Sequence, residues 1–497
     1  MSRRTRNLWA GTVVSMGVVV AAIILKPAWL SGFDNQSAKA ANQLIVHEWG
    51  TFTSFSGSDG VNLDYRPLVH YDLPPFVNSP LSNLGNPLAK PRVVAQQRME
   101  TPVIYFYTDE PQTVNVRVRF PQGMLTEWYP PAKEFASGAS SVDELTHATA
   151  DSAAAPAATS ADANSAHAAN VAPAAAAENP DAAVAGEAPR NPVTDFWLAS
   201  QQLERVRGGH APVIDGNAYL DWGAVRLIPP QQFADVRVRN AKKQIVPAWL
   251  PKIADGHHYG RARETDAAVV EVVDRRGESH FEKFLFYRGL GNFELPIKLA
   301  ALGNERFEVT NSGLETSGVL LLVRIEAERV RFVRLEPINP QSAIEIELPG
   351  SASSVAALAE AIVGELVAAG LYEREARAMV NTWHDSWFGE TGTRLLYLVS
   401  SAPTEKLLPL TIEPAPAECV RVLVGRLETL TPEDCRRLVR SLTVELAAEA
   451  PAAEAIRAEL APLGRFAEPA LRFVIGQTND AAARERLQAI LAELQPR

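Results

Sequence analysis

Two cysteines, Cys419 and Cys435, are all that 497 residues carry. That excludes a disulfide-built scaffold, and their sixteen-residue separation, with no C-x-x-C, excludes the common zinc-ribbon and thioredoxin-type arrangements. Two readings of the pair stay open: a single disulfide in an oxidising compartment, or two buried thiols packing as small hydrophobes. The chain also lacks an excess of basic residues. Its formal net charge is −10, which argues against a nucleic-acid partner, since that would need a basic face. No G-x-S-x-G and no phosphate-binding loop occurs. Gly289-Leu290-Gly291 lacks the third glycine of a dinucleotide site. No complete catalytic or cofactor motif remains.

What is present begins at the N-terminus. Arg3, Arg4 and Arg6 precede eighteen uncharged, mostly apolar residues, Leu8–Leu25. As a helix this run would rise about 27 Å, close to the thickness of a bilayer core. The arginines before it hold that end in the cytoplasm, so the rest is expected outside. Residues 1–40 therefore read as a signal anchor, or as a signal peptide cut after Ala38-Lys39-Ala40. The expected location is the cell envelope. The chain is either a single-pass protein held in the cytoplasmic membrane through residues 8–25, or a secreted or periplasmic one if cleaved after Ala40.

The expected fold class is mainly β, antiparallel and sandwich-like, with a mixed α/β and helical C-terminal part. Residues 41–134 and 191–350 read as two parts of one β domain, divided by a disordered Ala-rich insertion at 135–190. Val114, Val116, Val118 and Phe120 alternate with polar residues, and Val103–Thr108 with Val114–Phe120 reads as a hairpin. Phe281–Tyr287 reads as one strand. Residues 351–430 read as a helical hairpin, Val355–Ala369 and Tyr372–Phe388, followed by strands. Residues 431–497 read as helices opened by Thr431-Pro432-Glu433-Asp434, a cap followed by proline and acids. The segment Leu463–Leu471 with Asp480–Leu494 reads either as one HEAT-type hairpin or as a cap packed on the β region.

Two polar clusters hold the candidate site residues. In His47-Glu48 the second histidine of H-E-x-x-H is missing, and on a strand the two side chains point to opposite faces. The loop Asp255–Asp266 carries His257, His258, Arg261, Arg263 and Asp266. Its histidines, with His47, are candidate ligands for Zn²⁺ or another divalent ion, completed by His70, Asp72 or Asp266. Glu48 is then the candidate general base. Alternatively His47, Arg261, Arg263 and Asp266 form a ligand-binding set in which the arginines grip a carboxylate or phosphate. The plain alternative is a solvated loop with an Arg263–Asp266 ion pair. Trp383 and Trp387, four apart on a helix, read as packing.

The segment His47-Glu48-Trp49-Gly50-Thr51-Phe52-Thr53, together with Arg98–Tyr107, Glu282–Gly289 and Ser386-Trp387-Phe388, resembles an uncharacterised family of exported bacterial proteins. The resemblance spans most of Leu44–Leu471 and implies export, but no activity. The sequence therefore leads to an exported binding or structural module, its partner an envelope glycan, another protein or a small anion. A metal-dependent hydrolase and an assembly scaffold acting through the C-terminal helices are the alternatives.

Overall fold

A computed structural model describes residues 44–65, 73–79, 95–140, 213–214, 216–239, 243–326, 329–445 and 453–494. All belong to the compact unit Leu44–Arg497. The expected membrane segment Leu8–Leu25, the cleavage site at Ala40, His70 and Asp72 lie outside the described residues. Among those described, no helix is long and apolar enough to cross a membrane.

Along the chain, β1 (Ile45–Ser56), β2 (Gln97–Tyr107), β3 (Gln112–Phe120), β4 (Gly123–Tyr129), β5 (Glu134–Ala136) and β6 (Ala139–Ser140) come first. Next are β7 (Val213–Ile214), β8 (Ala218–Ile228), β9 (Arg237–Arg239), β10 (Ile245–Pro247), β11 (Val269–Val273), β12 (Ser279–Glu282) and β13 (Leu285–Gly291). Then follow β14 (Ile297–Gly303), β15 (Arg306–Asn311), β16 (Leu320–Glu326), β17 (Arg329–Leu335) and β18 (Ser342–Glu347). The last are β19 (Gly392–Val399), β20 (Leu410–Glu413) and β21 (Glu418–Thr429).

The fold is mainly β, with antiparallel sheets and a helical C-terminal part, as expected. An eight-stranded sheet runs β17-β16-β19-β21-β1-β2-β13-β4. A second sheet runs β12-β11-β8-β3-β20, with β5 also on β8. The two face each other across one apolar layer, to which Val46, Phe52 and Ile104 contribute from the first, and Val116, Val118 and Leu220 from the second. Helices cover the other face of the large sheet. Val355–Ala368 is capped by Ser354, whose side chain accepts from Ala357 N, and buries Leu358, Ile362, Val363 and Leu366. Each such side chain taken from water stabilises by roughly 1.5–3 kcal/mol. The second hairpin helix, Glu373–His384, adds Met379, Val380 and Trp383 to the same layer.

Covered on both sides, β1 is buried along its whole length. It pairs in parallel with β21 over all twelve residues and antiparallel with β2. The β2 pairing shifts register between Trp49 and Thr51, opposite Pro102, which has no N–H to donate. Gly50 lies so close there that a Cβ would sit 2.9 Å from Pro102 Cα.

Four expectations are corrected. β2 and β3 do not form a hairpin: β2 lies in the large sheet and β3 in the smaller one, so Thr108–Pro111 cross between them. Phe281–Tyr287 is likewise two strands, because the chain changes sheets at Lys283 and Phe284. Alternating apolar residues mark a buried face but not which sheet owns it. Residues 135–136 and 139–140, placed at the start of the insertion, are strand, and the β6–β7 pair brings Ser140 beside Val213. Residues 141–212 lie outside the described residues. Moreover β19 and β21 join the same large sheet as β1, so 392–429 are integral to the β body.

The C-terminal helices begin as expected. Thr431 caps Pro432–Val439, its side chain accepting from Asp434 N while Asp434 accepts from Thr431 N. With Ala453–Leu460, Ala467–Gln477 and Ala481–Leu494 they enclose a third core, into which Phe55, Tyr65 and Leu430 of the β body project. This is the arrangement of a cap packed on the β region.

Candidate functional site

His47 and Glu48 do point to opposite faces of β1. His47, 1% exposed, meets the helical layer, where Nδ1 lies 2.6 Å from Oε2 of the fully buried Glu375. Its ring packs against Tyr107 and Tyr372. Burial, then the charge of Glu375, pushes the Tyr107 phenol far above its ordinary range. Glu48 enters the layer between the sheets. It accepts from Tyr287 Oη at 2.5 Å and from Arg421 Nε at 2.6 Å. A general base needs an open lone pair near a substrate; Glu48 is 0% exposed and engaged by two donors.

The Asp255–Asp266 loop is equally occupied. His257 caps a short helical turn, His258–Arg261, by accepting from Tyr259 N at 3.1 Å, and its ring stacks on His258 at 4.5 Å. Arg263 does not pair with Asp266. It forms a fork on Glu282, Nε to Oε1 at 2.8 Å and Nη2 to Oε2 at 2.7 Å, and Nη1 donates to Pro251 O. Asp266 instead pairs with Arg374 of the second hairpin helix. Burial raises the Glu282 carboxyl, and the Arg263 guanidinium opposes that rise. Arg263 is thus committed to the fold and is not available to grip an anion.

Among the described residues, the expected zinc ligands are therefore not brought together. His47 is tied to Glu375 on the sheet–helix side, His257 and His258 sit on the loop, and His280 bonds Asp274 at 3.1 Å. Among the described residues, the group with ligand atoms mutually within 4.8 Å is Asp274, Glu278 and His280, which includes none of the expected ligands. The disulfide is also absent: both cysteines are free. Cys419 lies near the start of β21 and Cys435 beyond its end. A strand rising about 3.3 Å per residue carries them far out of bonding reach.

Two separately coded segments do converge. The turn at Gly256, His258 and Arg261 faces Asn381, Thr382, Trp383, His384, Asp385 and Ser386 across a cleft of about 470 Å³. Here the second hairpin helix gives way to a π-helical turn, Asp385–Gly389, where the sequence predicts continuous helix to Phe388. Such turns recur at functional sites because they displace side chains from the regular helical face. Arg261 pairs with Glu264 at 3.0 Å, both about half exposed, so the guanidinium keeps an open side.

The π-turn is braced by residues that sequence reasoning missed. Arg394 on β19, 0% exposed, donates from Nη1 to the carbonyls of Ser386 and Trp387 and from Nη2 to that of Glu390. Arg426 on β21 donates to Ser386 Oγ at 2.9 Å and to the Glu390 carboxylate. Glu428 Oε1 lies 3.0 Å from Arg394 Nε and 2.7 Å from Arg426 Nε. Burial pulls both guanidiniums down; for Arg426 the charges of Glu428 and Glu390 reverse this, whereas Arg394 stays lowered. The belt continues through Thr53, Glu100 and Arg98 on one side and Arg324, Glu326 and Arg331 on the other. It floors a larger cavity of about 510 Å³ under the C-terminal helices, but those charges already neutralise one another. The signal was available: an arginine inside an otherwise apolar strand, as in Arg394-Leu395-Leu396-Tyr397-Leu398-Val399, needs a buried partner.

No family model matches this chain. No curated protein matches it either. Among solved structures it is similar to the Fcho1 Mu homology domain of Danio rerio with bound Eps15 peptide, at 6% identity and a TM-score of 0.23. That alignment covers 80% of this chain and 97% of the other. A likeness so slight bears on neither fold nor function.

Proposed function

We propose that this is an exported or membrane-anchored envelope protein whose unit Leu44–Arg497 is a binding module, taking a small acidic polar ligand in the cleft between the His258–Arg261 turn and the π-turn. The N-terminal arginines with Leu8–Leu25, and the resemblance to exported bacterial proteins, support the location. The observation that carries the binding reading is the convergence of Arg261, His258, His384 and Asn381 on one cleft of about 470 Å³. That size suits a small ligand; Arg261 and Asn381 share Glu264, and His384 bonds Asp385 at 3.3 Å, exposed pairs that a bound carboxylate or phosphate would replace. The buried arginine brace holds the π-turn fixed, so little ordering cost falls on binding.

Calorimetric titration of the purified unit with citrate, glucuronate and inorganic phosphate tests the reading. Saturable binding of at least one, weakened about tenfold or more by Arg261→Gln or His384→Ala, is expected for a charge-assisted contact. Binding that ignores both substitutions, or none at all, rejects it. For the location, an alkaline phosphatase fused after Arg497 should be active in cells, since that enzyme folds only outside the cytosol.

A further inference from the structure

The two-stranded β9–β10 sheet presents an outward face that is exposed among the described residues. Its pairs are Arg237 with Pro247, Val238 with Val246 and Arg239 with Ile245. Because strand side chains alternate, Val238, with Val236, Ala248 and Leu250, turns inward onto Ile228, Val269 and Phe281, and Val246, paired with Val238, is half-buried. Arg237, Arg239, Ile245, Pro247 and Trp249 turn outward. Ile245 is 68% and Trp249 56% exposed, unusual openness for side chains of that size. Lys243 and Lys252 are exposed beside them. Among the described residues no ion pair engages Arg237, Arg239, Lys243 or Lys252; Arg237 donates to the carbonyls of Ala234 and Val236. A chain of net charge −10 thus concentrates uncompensated cations around two open apolar side chains.

From this we infer that the β9–β10 hairpin docks on an anionic lipid bilayer. The chemistry separates that partner from others. A soluble polyanion would satisfy the cations but leave Ile245 and Trp249 in water. A strand-adding peptide would use the backbone edge of β9 or β10, not the outward face that carries Ile245 and Trp249. A bilayer surface answers both halves at once: phosphates for the arginines and lysines, and the headgroup–acyl boundary for Ile245 and the amphipathic ring of Trp249. The inference concerns the hairpin alone and stands apart from the proposed cleft and from the N-terminal segment.

Co-sedimentation of the compact unit Leu44–Arg497 tests it. The probes are phosphatidylcholine vesicles with and without phosphatidylglycerol. Binding is expected to the anionic vesicles and not to the neutral ones. Arg237→Gln and Arg239→Gln should each weaken it roughly five-fold, and Ile245→Ser with Trp249→Ser should weaken it by a similar factor or more. All four side chains are exposed, so an unchanged melting temperature serves as the folding control. Absence of binding to either vesicle overturns the inference, as does binding indifferent to all four substitutions. Capture by dextran sulfate that Ile245→Ser and Trp249→Ser leave intact, without lipid binding, identifies a polyanion surface and overturns it too.

Discussion

Glu375 Oε2 stands 2.6 Å from His47 Nδ1 and also accepts from the backbone N of Tyr372 at 3.0 Å. One buried carboxylate therefore ties the central strand to the second hairpin helix and caps that helix. Glu375→Ala leaves a buried imidazole and a helix N-terminus without their acceptor, and should cost about 3 kcal/mol or more of unfolding free energy. Glu375→Gln keeps an oxygen in place and should cost clearly less. Urea unfolding of the two variants checks this; equal losses would sink the double role.

The Arg263–Glu282 fork predicts a pH signature. With Arg263→Gln, Glu282 remains buried without its cation, so its carboxyl, already raised by burial, rises further. A carboxyl raised in the folded state favours folding when protonated, and that contribution is lost as pH climbs through its folded value. The variant should therefore be weakened by about 3 kcal/mol near neutrality, and by progressively less as the pH falls toward the ordinary carboxylate range. Denaturant midpoints measured across that window decide it. A deficit that does not shrink on acidification contradicts the charge argument.

Arg394 grips three carbonyls of the π-turn and its exit. Arg394→Met should free those acceptors and lower stability by about 2 kcal/mol or more. Hydrogen exchange of the Trp387–Gly389 amides should speed up while β19 stays protected. Unaltered exchange there would mean the turn holds without its brace.

Both cysteines should titrate as thiols in protein purified without reductant, with no mass change on reduction. Burial pushes the Cys435 thiol up to about 12, so at neutral pH almost none is thiolate. Cys419 is exposed and should be alkylated first. A modification order with Cys435 ahead would contradict this placement.

Elements with a local cause were readable from the chain. The alternation of Val114–Phe120, the Thr431-Pro432 helix start and the opposed directions of His47 and Glu48 each follow from a short-range rule. Pairing was not readable, because β2 and β3 carry the same pattern whether they share a sheet or face each other. The residue types of the Asp255–Asp266 loop are legible in the sequence, but the partners they take are not. Arg263 chose Glu282, nineteen residues on, over Asp266, three residues on, because the buried carboxylate needed neutralising more than the exposed one. The charged belt was missed because each arginine was weighed alone, whereas its meaning lies in partners brought together by six different strands.

The parallel partnership of β1 and β21 sets a condition on synthesis. The strand at the heart of the large sheet is made among the first of the described residues, and its neighbour arrives nearly four hundred residues later. Until Thr429 has emerged, β1 lacks a partner along one entire edge, exposing hydrogen-bonding groups and apolar side chains that invite the wrong neighbours. Chains halted before β21 should accumulate as aggregates or be degraded, and whatever assists this polypeptide during production must shield that edge for most of the time the chain takes to be made.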